Sequence, residues 1–198
     1  MTTERRPRHP KPNTPSVIEG YTQGLRKLLR LGDSPYFNIV SVIENGLGRH
    51  LQGFALEVLS HKELRSVEAF TAFNPVRIGV REDVYEGAYK NDTRARFTVA
   101  HELGHLCLHW GYPRPRLAPE AQKPNDPSAK GRVEKEANQF AAAFLMPRAL
   151  ADKIDEPRRL ANLCRVSDEA AYYRLHDLWA QNDSLTTEGV RKLFGVDH

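Results

Sequence analysis

Apolar positions along this chain repeat at two different periods, and the change between them divides it into regions. Over residues 17–31, Val17, Ile18, Tyr21, Leu25, Leu28 and Leu29 fall at helical spacing, and Gly32 with Asp33 ends the run. A second helix is predicted over about residues 35–45, through Phe37, Ile39, Val40, Val42 and Ile43, ended by Gly46 and Gly48. The period then shortens. Residues 53–59, 67–73 and 76–80 are brief runs rich in β-branched or aromatic side chains, and they read as strands. Asn74-Pro75 leaves only a turn's length between the last two, which predicts a hairpin. One edge of this small, mostly antiparallel sheet could accept an extended peptide by strand addition, although the pattern does not say which edge is free.

Helical spacing returns after the sheet. Residues 85–89 read as a short helix or turn, and Asn91, Asp92 and Thr93 offer side-chain oxygens to cap a helix over residues 93–111. Residues 111–130 carry Pro113, Pro115, Pro119, Pro124 and Pro127, a loop long enough to close over a cleft or to serve as a plain connector. From Arg132 an alanine-rich helix runs to Pro147, followed by turns over 148–154 and 157–164. Ser167 caps a helix over 168–180, and residues 185–198 read as a separate, loosely attached short helix. The helices over 157–164 and 168–180 have the outline of a helix-turn-helix. The second is aromatic, and acidic near its start, so the pair reads as packing rather than as a DNA reader. The expected architecture is an α+β domain over residues 17–183, with a leader over 1–16 and a C-terminal segment over 184–198.

Composition narrows the picture modestly. No apolar run approaches the roughly 20 residues that span a bilayer, and the N-terminus lacks the apolar core of a secretory signal. A cytoplasmic protein with no membrane partner is expected. Cys107 and Cys164 imply no disulfide framework and read as small buried side chains rather than metal ligands. The net charge of +4 is concentrated in the leader, where Arg5, Arg6, Arg8 and Lys11 alternate with prolines. With little apolar surface to bury, that stretch reads as disordered and solvated, and direct nucleic-acid binding is not expected.

The chemistry lies in the run Arg96 to Trp110, R-F-T-V-A-H-E-L-G-H-L-C-L-H-W. His101 and His105, four apart on a helix, project from one face, about 40° apart. Their imidazoles can share one metal ion, and neutral imidazole suits zinc. Glu102 points off the ligand pair yet stays near the metal, where a general base is needed to take the proton of an attacking water. The helix is apolar almost all round, so a carboxylate and two imidazoles on it need partners, and a metal supplies one.

A catalytic zinc needs a third protein ligand and an open position. The helix after the loop offers Glu134 and Glu136. Glu134 shares a face with Ala137, Asn138 and Ala141, small residues that let two helices approach, so Glu134 is the expected ligand. Glu136 is turned about 160° away, towards the charged side of the helix. Asn138 is placed to accept a hydrogen bond from the free ring N–H of a ligand histidine. A developing oxyanion needs a further donor. His109, Tyr112, Arg174 and His176 are candidates that spacing does not separate, and His109 also reads as a helix-end histidine favoured by the dipole.

The words at Arg96 to His109 and at Val133 to Pro147 (V-E-K-E-A-N-Q-F-A-A-A-F-L-M-P) resemble the ImmA/IrrE-type metallopeptidases, with weaker support from Ala69 to Arg81 and Val166 to Leu175. The resemblance implies a minimal, gluzincin-like zincin with a small sheet. It implies one zinc held by His101, His105 and Glu134, with Glu102 as base. It further implies cleavage of a transcriptional repressor of helix-turn-helix type, switching on mobile-element or stress-response genes. The rival reading keeps the metal as a fold element and has the protein act by binding a repressor or DNA.

Overall fold

The computed structural model describes residues 13–110 and 127–194, the side chains of 127–129 and 183–194 excepted. Helix α1 (Pro15–Leu28) starts two residues inside the expected leader, because Thr14 caps it and Pro15 occupies its first turn. Residues 1–12 of that leader lie outside the described residues. Asn38 caps α2 (Ile39–Val42), which passes through a π-helical turn (Ile43–Leu47) into the short α3 (Gly48–His50). Gly46 and Gly48 therefore do not end the second helix as expected; the wider turn carries the chain through them. Leu29 lies so close to Gly46 that a Cβ there would stand 2.8 Å from its Cδ2.

Strands β1 (Ala55–Leu59), β2 (Ala69–Phe73) and β3 (Val76–Arg81) form one sheet in the order β1-β3-β2, with the short α4 (His61–Leu64) between β1 and β2. The predicted hairpin is present: β2 and β3 pair antiparallel, Phe70 opposite Gly79, across a cis Asn74–Pro75 bond. The Phe70 ring covers Gly79, where a Cβ would stand 2.3 Å from the ring. β1 lies on the other side of β3 and runs parallel to it, Leu56 opposite Ile78. The sheet is thus mixed rather than mostly antiparallel. The hairpin occupies one edge of β3, and the crossover through α4 and β2 brings β1 to the other edge in the same direction. Both β1 and β2 are edge strands among the described residues.

Helix α5 (Glu82–Tyr89) leads into α6 (Thr93–Leu108), whose N-terminus is held by Asp92 accepting from the Ala95 N–H at 2.8 Å. α7 (Pro127–Leu145) is already helical inside the predicted loop, and residues 111–126 of that loop lie outside the described residues. α8 (Arg148–Ala151), α9 (Pro157–Cys164) and α10 (Asp168–Phe194) follow. α10 is continuous to Phe194, where the sequence pattern separates a helix over 168–180 from a further short one. The core joins α2, α6, α7, α9 and the start of α10 through Ile39, Ile43, Leu103, Phe140, Phe144, Leu160 and Leu175. The two helices with the helix-turn-helix outline pack into this core by Leu160, Cys164, Ala171 and Leu175. No helix of the described residues is long and apolar enough to cross a membrane.

Buried arginines tie the layers together. Arg96 on α6 is fully buried, and its hydrogen bonds among the described residues go to backbone carbonyls. Its guanidinium donates to the carbonyls of Phe37 at 2.7 Å, Arg165 at 3.1 Å and Cys164 at 3.3 Å. Arg26 on α1 likewise donates to Gly32, Ser34 and Phe144. Cys164 is the last residue of α9 and Phe144 the next-to-last of α7, where unpaired carbonyls and the helix dipole favour a cation. Arg174 on α10 pairs with Glu19 on α1 and donates to the Met146 carbonyl.

Candidate metal centre

Helices α6 and α7 lie face to face and come close at Gly104. A Cβ on Gly104 would stand 3.1 Å from the Ala137 carbonyl oxygen and 3.1 Å from the Phe140 Cβ. The glycine between the two histidines therefore sets how near α7 can come, and with it how far Glu134 must reach. Gly104→Val should force the helices apart, costing roughly 1–3 kcal/mol in urea unfolding and weakening metal affinity in a chelator competition. Gly104→Ala should act in the same direction but less, because its Cβ meets α7 backbone while a gain of about 1 kcal/mol in helix propensity offsets part of the crowding. Equal metal affinity in the valine variant would show that this contact does not position Glu134.

Across that contact three acceptor atoms converge. The Nε2 atoms of His101 and His105 are 2.9 Å apart, and Oε2 of Glu134 lies 3.2 Å from the first and 3.7 Å from the second. Atoms about 2.0–2.1 Å from one tetrahedral ion stand about 3.3 Å from each other, and the three observed separations bracket that value. The outer ring nitrogens explain why a cation belongs there. His101 Nδ1 lies 2.7 Å from Asn138 Oδ1, and His105 Nδ1 lies 3.0 Å from His109 Nδ1. With Nδ1–H donating outwards in both rings, both Nε2 atoms carry lone pairs directed at each other and at a carboxylate. Three acceptors facing one point repel unless a cation lies between them. These residues could hold a metal ion, and they form the His/Cys/Asp/Glu cluster of metal-binding geometry among the described residues. His105 is sealed from solvent, while the His101 and Glu134 side chains are partly open, so the site has an accessible side.

Glu102, the residue after His101, is buried beneath strand β2. The Thr71 hydroxyl, on β2, lies 2.8 Å from Oε2 of Glu102 and 2.8 Å from its backbone carbonyl. The edge strand thus touches the metal helix at the carboxylate next to the ligands. A cleft of about 790 Å³ opens on the other side, from Asn138 along α6, α7 and α10, with Phe97, Ala142 and Tyr173 among its walls.

The remaining expected residues lie elsewhere. The ring of His109 sits on the far side of His105 from the convergent atoms, fully buried, with its Nε2 3.1 Å from Oε2 of Glu136. Burial pushes His109 towards the neutral form, and the hydrogen bond it donates to the Glu136 carboxylate opposes that shift. The guanidinium of Arg174 is taken up by Glu19 and Met146, and His176 stacks against Tyr172 on the exposed face of α10. Tyr112 lies outside the described residues. Glu136 corrects the sequence reading: it is buried, not turned to a charged surface. α7 is covered on one side by α6 and on another by α1, so the face opposite Glu134 is interior as well. Thr71 had no signal in the sequence, being one polar residue in an otherwise apolar strand. Burial pushes the Cys107 thiol up to about 12 and the Cys164 thiol up to about 11, and neither joins the cluster.

Residues 60–176, more than half of the chain, match the model of the IrrE N-terminal-like domain, a peptidase family. The chain belongs to this family. The matched stretch contains the convergent triad, Glu102, Thr71 and Asn138, so the family resemblance and the geometry concern the same residues. No curated protein matches the chain. Among solved structures, a Mycobacterium tuberculosis transcriptional regulator shares the fold, with a TM-score of 0.54 at 16% identity. The match covers 80% of this chain and 46% of the regulator, so the chain spans about half the length of that protein. As a family member, the chain carries a metallopeptidase-like domain with a site fit for a metal ion.

Proposed function

We propose that the chain is a zinc-dependent endopeptidase acting on a regulatory protein, a helix-turn-helix-type repressor being the expected class. The observation that supports this most is the convergence of His101, His105 and Glu134 beside a buried carboxylate that is not one of the three. A site built only to hold the fold together has no use for Glu102. When bound, zinc would supply Lewis acidity, polarising the scissile carbonyl and the attacking water. Glu102 accepts the proton of that water and returns it to the leaving amine. Thr71 holds the Glu102 carboxylate in place by donating to Oε2, and Asn138 fixes the His101 ring. β2 is an edge strand among the described residues and its Thr71 reaches Glu102, so an extended substrate segment adds to that edge as a further strand.

The likeness to a transcriptional regulator favours a second reading, a metal-stabilised protein that regulates by binding alone. Cleavage separates the two. The zinc-loaded chain, incubated with a pool of purified helix-turn-helix repressors, should generate new N-termini detectable by mass spectrometry. Chelator treatment should stop their formation and added zinc restore it. Stable complexes with a repressor, and no new N-terminus in any of the pool, would favour the binding reading.

A further inference from the structure

Behind His105 lies a chain of hydrogen bonds that the proposed mechanism does not use. His105 Nδ1 meets His109 Nδ1 at 3.0 Å, and His109 Nε2 meets Oε2 of Glu136 at 3.1 Å. Glu136 is also gripped by Asn13, at both carboxylate oxygens. The Asn13 side-chain amide donates to Oε2 at 2.6 Å and its backbone N–H donates to Oε1 at 3.2 Å. Arg132, one turn earlier on α7, stands 3.6 Å from Oε1. His105, His109 and Glu136 are all buried, so each polar atom in the chain needs its partner.

The proton positions along this chain follow from the metal outwards. A ligand Nε2 must offer its lone pair, so Nδ1 of His105 carries the hydrogen and donates to His109. His109 then accepts at Nδ1 and carries its own hydrogen on Nε2, which donates to the Glu136 carboxylate. The carboxylate can only accept, and it accepts again from Asn13. Each link is satisfied in one sense only. The two ligand rings are therefore backed differently: His101 by a neutral amide oxygen, His105 by an imidazole that leans on a buried anion. That anion also matters for charge. Glu136 would add negative charge behind His105, in a site where Glu134 is the carboxylate among the candidate ligands.

We infer that His109 and Glu136 are positioning residues for the metal ligand His105, and that Asn13 clamps them, tying the entry of α1 to metal affinity. Asn13 directly precedes Thr14, the cap of α1, and is 123 positions from Glu136. The strength of the centre thus depends on where the start of α1 is docked. Carboxylate partners of metal-bound histidines raise ligand basicity and hold ring orientation, and their loss weakens binding by about 10–100-fold.

The inference rests on the metal centre described above but not on peptidase activity, and its readout is Zn2+ affinity. The full chain, stripped of metal, is titrated with Zn2+ against a chromophoric chelator as wild type, Glu136→Gln, Asn13→Ala and the double variant. Glu136→Gln keeps the shape of the side chain and removes the charge; it should weaken Zn2+ binding by about 10–100-fold while the melting temperature of the metal-free protein stays put. Asn13→Ala, at a half-buried position, should weaken binding by a smaller factor, and should add almost nothing on top of Glu136→Gln. A merely structural role would move the metal-free melting temperature and leave affinity alone. Affinities within about threefold of wild type in both single variants, or fully additive losses, would overturn the relay while leaving the three-ligand centre intact. Failure of the wild type itself to bind Zn2+ would overturn the centre and the relay together.

Discussion

Arg96→Ala should be the most destabilising single truncation in the chain, lowering the unfolding free energy by about 4 kcal/mol. Two losses add. The carbonyls of Phe37, Cys164 and Arg165 lose a shared donor, the first two at buried positions, where each unsatisfied group costs roughly 1–3 kcal/mol. The side chain is fully buried, so its removal also leaves a cavity, worth a further 2 kcal/mol or more. Against these stands the relief of a desolvated guanidinium, and stacking over Tyr36 at 5.1 Å already offsets part of that cost. Arg96→Met should refill the space but not the hydrogen bonds, and so fall between wild type and alanine. Arg96→Lys should not rescue, because a point charge cannot span three carbonyls. In a protein of this size the alanine variant should melt roughly 8–16 °C lower. Urea unfolding of the three variants measures the ordering, and a loss under about 1 kcal/mol for alanine would contradict the stapling role.

Glu102→Gln should reduce peptide cleavage by about 10²–10⁴-fold, the usual contribution of a positioned general base. The amide oxygen can still accept from Thr71, so the side chain stays where it is, but it no longer accepts a proton from water. Because Glu102 is not among the three convergent ligands, metal content should not change. Stability should not fall either, since a buried charge is replaced by a neutral group of the same shape. Thr71→Val should act in the same direction and less severely, by freeing the carboxylate rather than removing it. Cleavage by Glu102→Gln within tenfold of wild type, at equal zinc content, would rule out Glu102 as the base in the proposed mechanism.

The metal-site residues differ from the buried Arg96 and Glu136 in how far the sequence reveals them. The pairing of His101 with His105 needs only one helical turn, and the choice of Glu134 needs only the small side chains at Ala137 and Ala141 on the same face. Local periodicity contains both. Arg96 and Glu136 are different, because their partners come from distant parts of the chain. Nothing near Arg96 announces that Phe37 and Cys164 will leave carbonyls at its tip. Nothing near Glu136 announces that α1 will cover it and deliver Asn13. Periodicity places a charged residue on a face; it does not say whether a second helix covers that face. The same limit applies to the sheet, whose hairpin follows from Asn74-Pro75 while the parallel pairing of β1 depends on the crossover through α4.

The most direct test of the metal centre is the metal content of wild type, Glu134→Ala and Glu136→Ala, loaded with excess Zn2+, desalted in parallel and analysed by mass spectrometry. About one zinc per chain is predicted for wild type and none for Glu134→Ala, because two imidazoles alone do not complete the site. Glu136→Ala should fill under excess zinc and lose it on prolonged desalting, as a residue acting through His105 would. Zinc retained by Glu134→Ala at the wild-type level, or lost at once only from Glu136→Ala, would contradict the His101–His105–Glu134 centre.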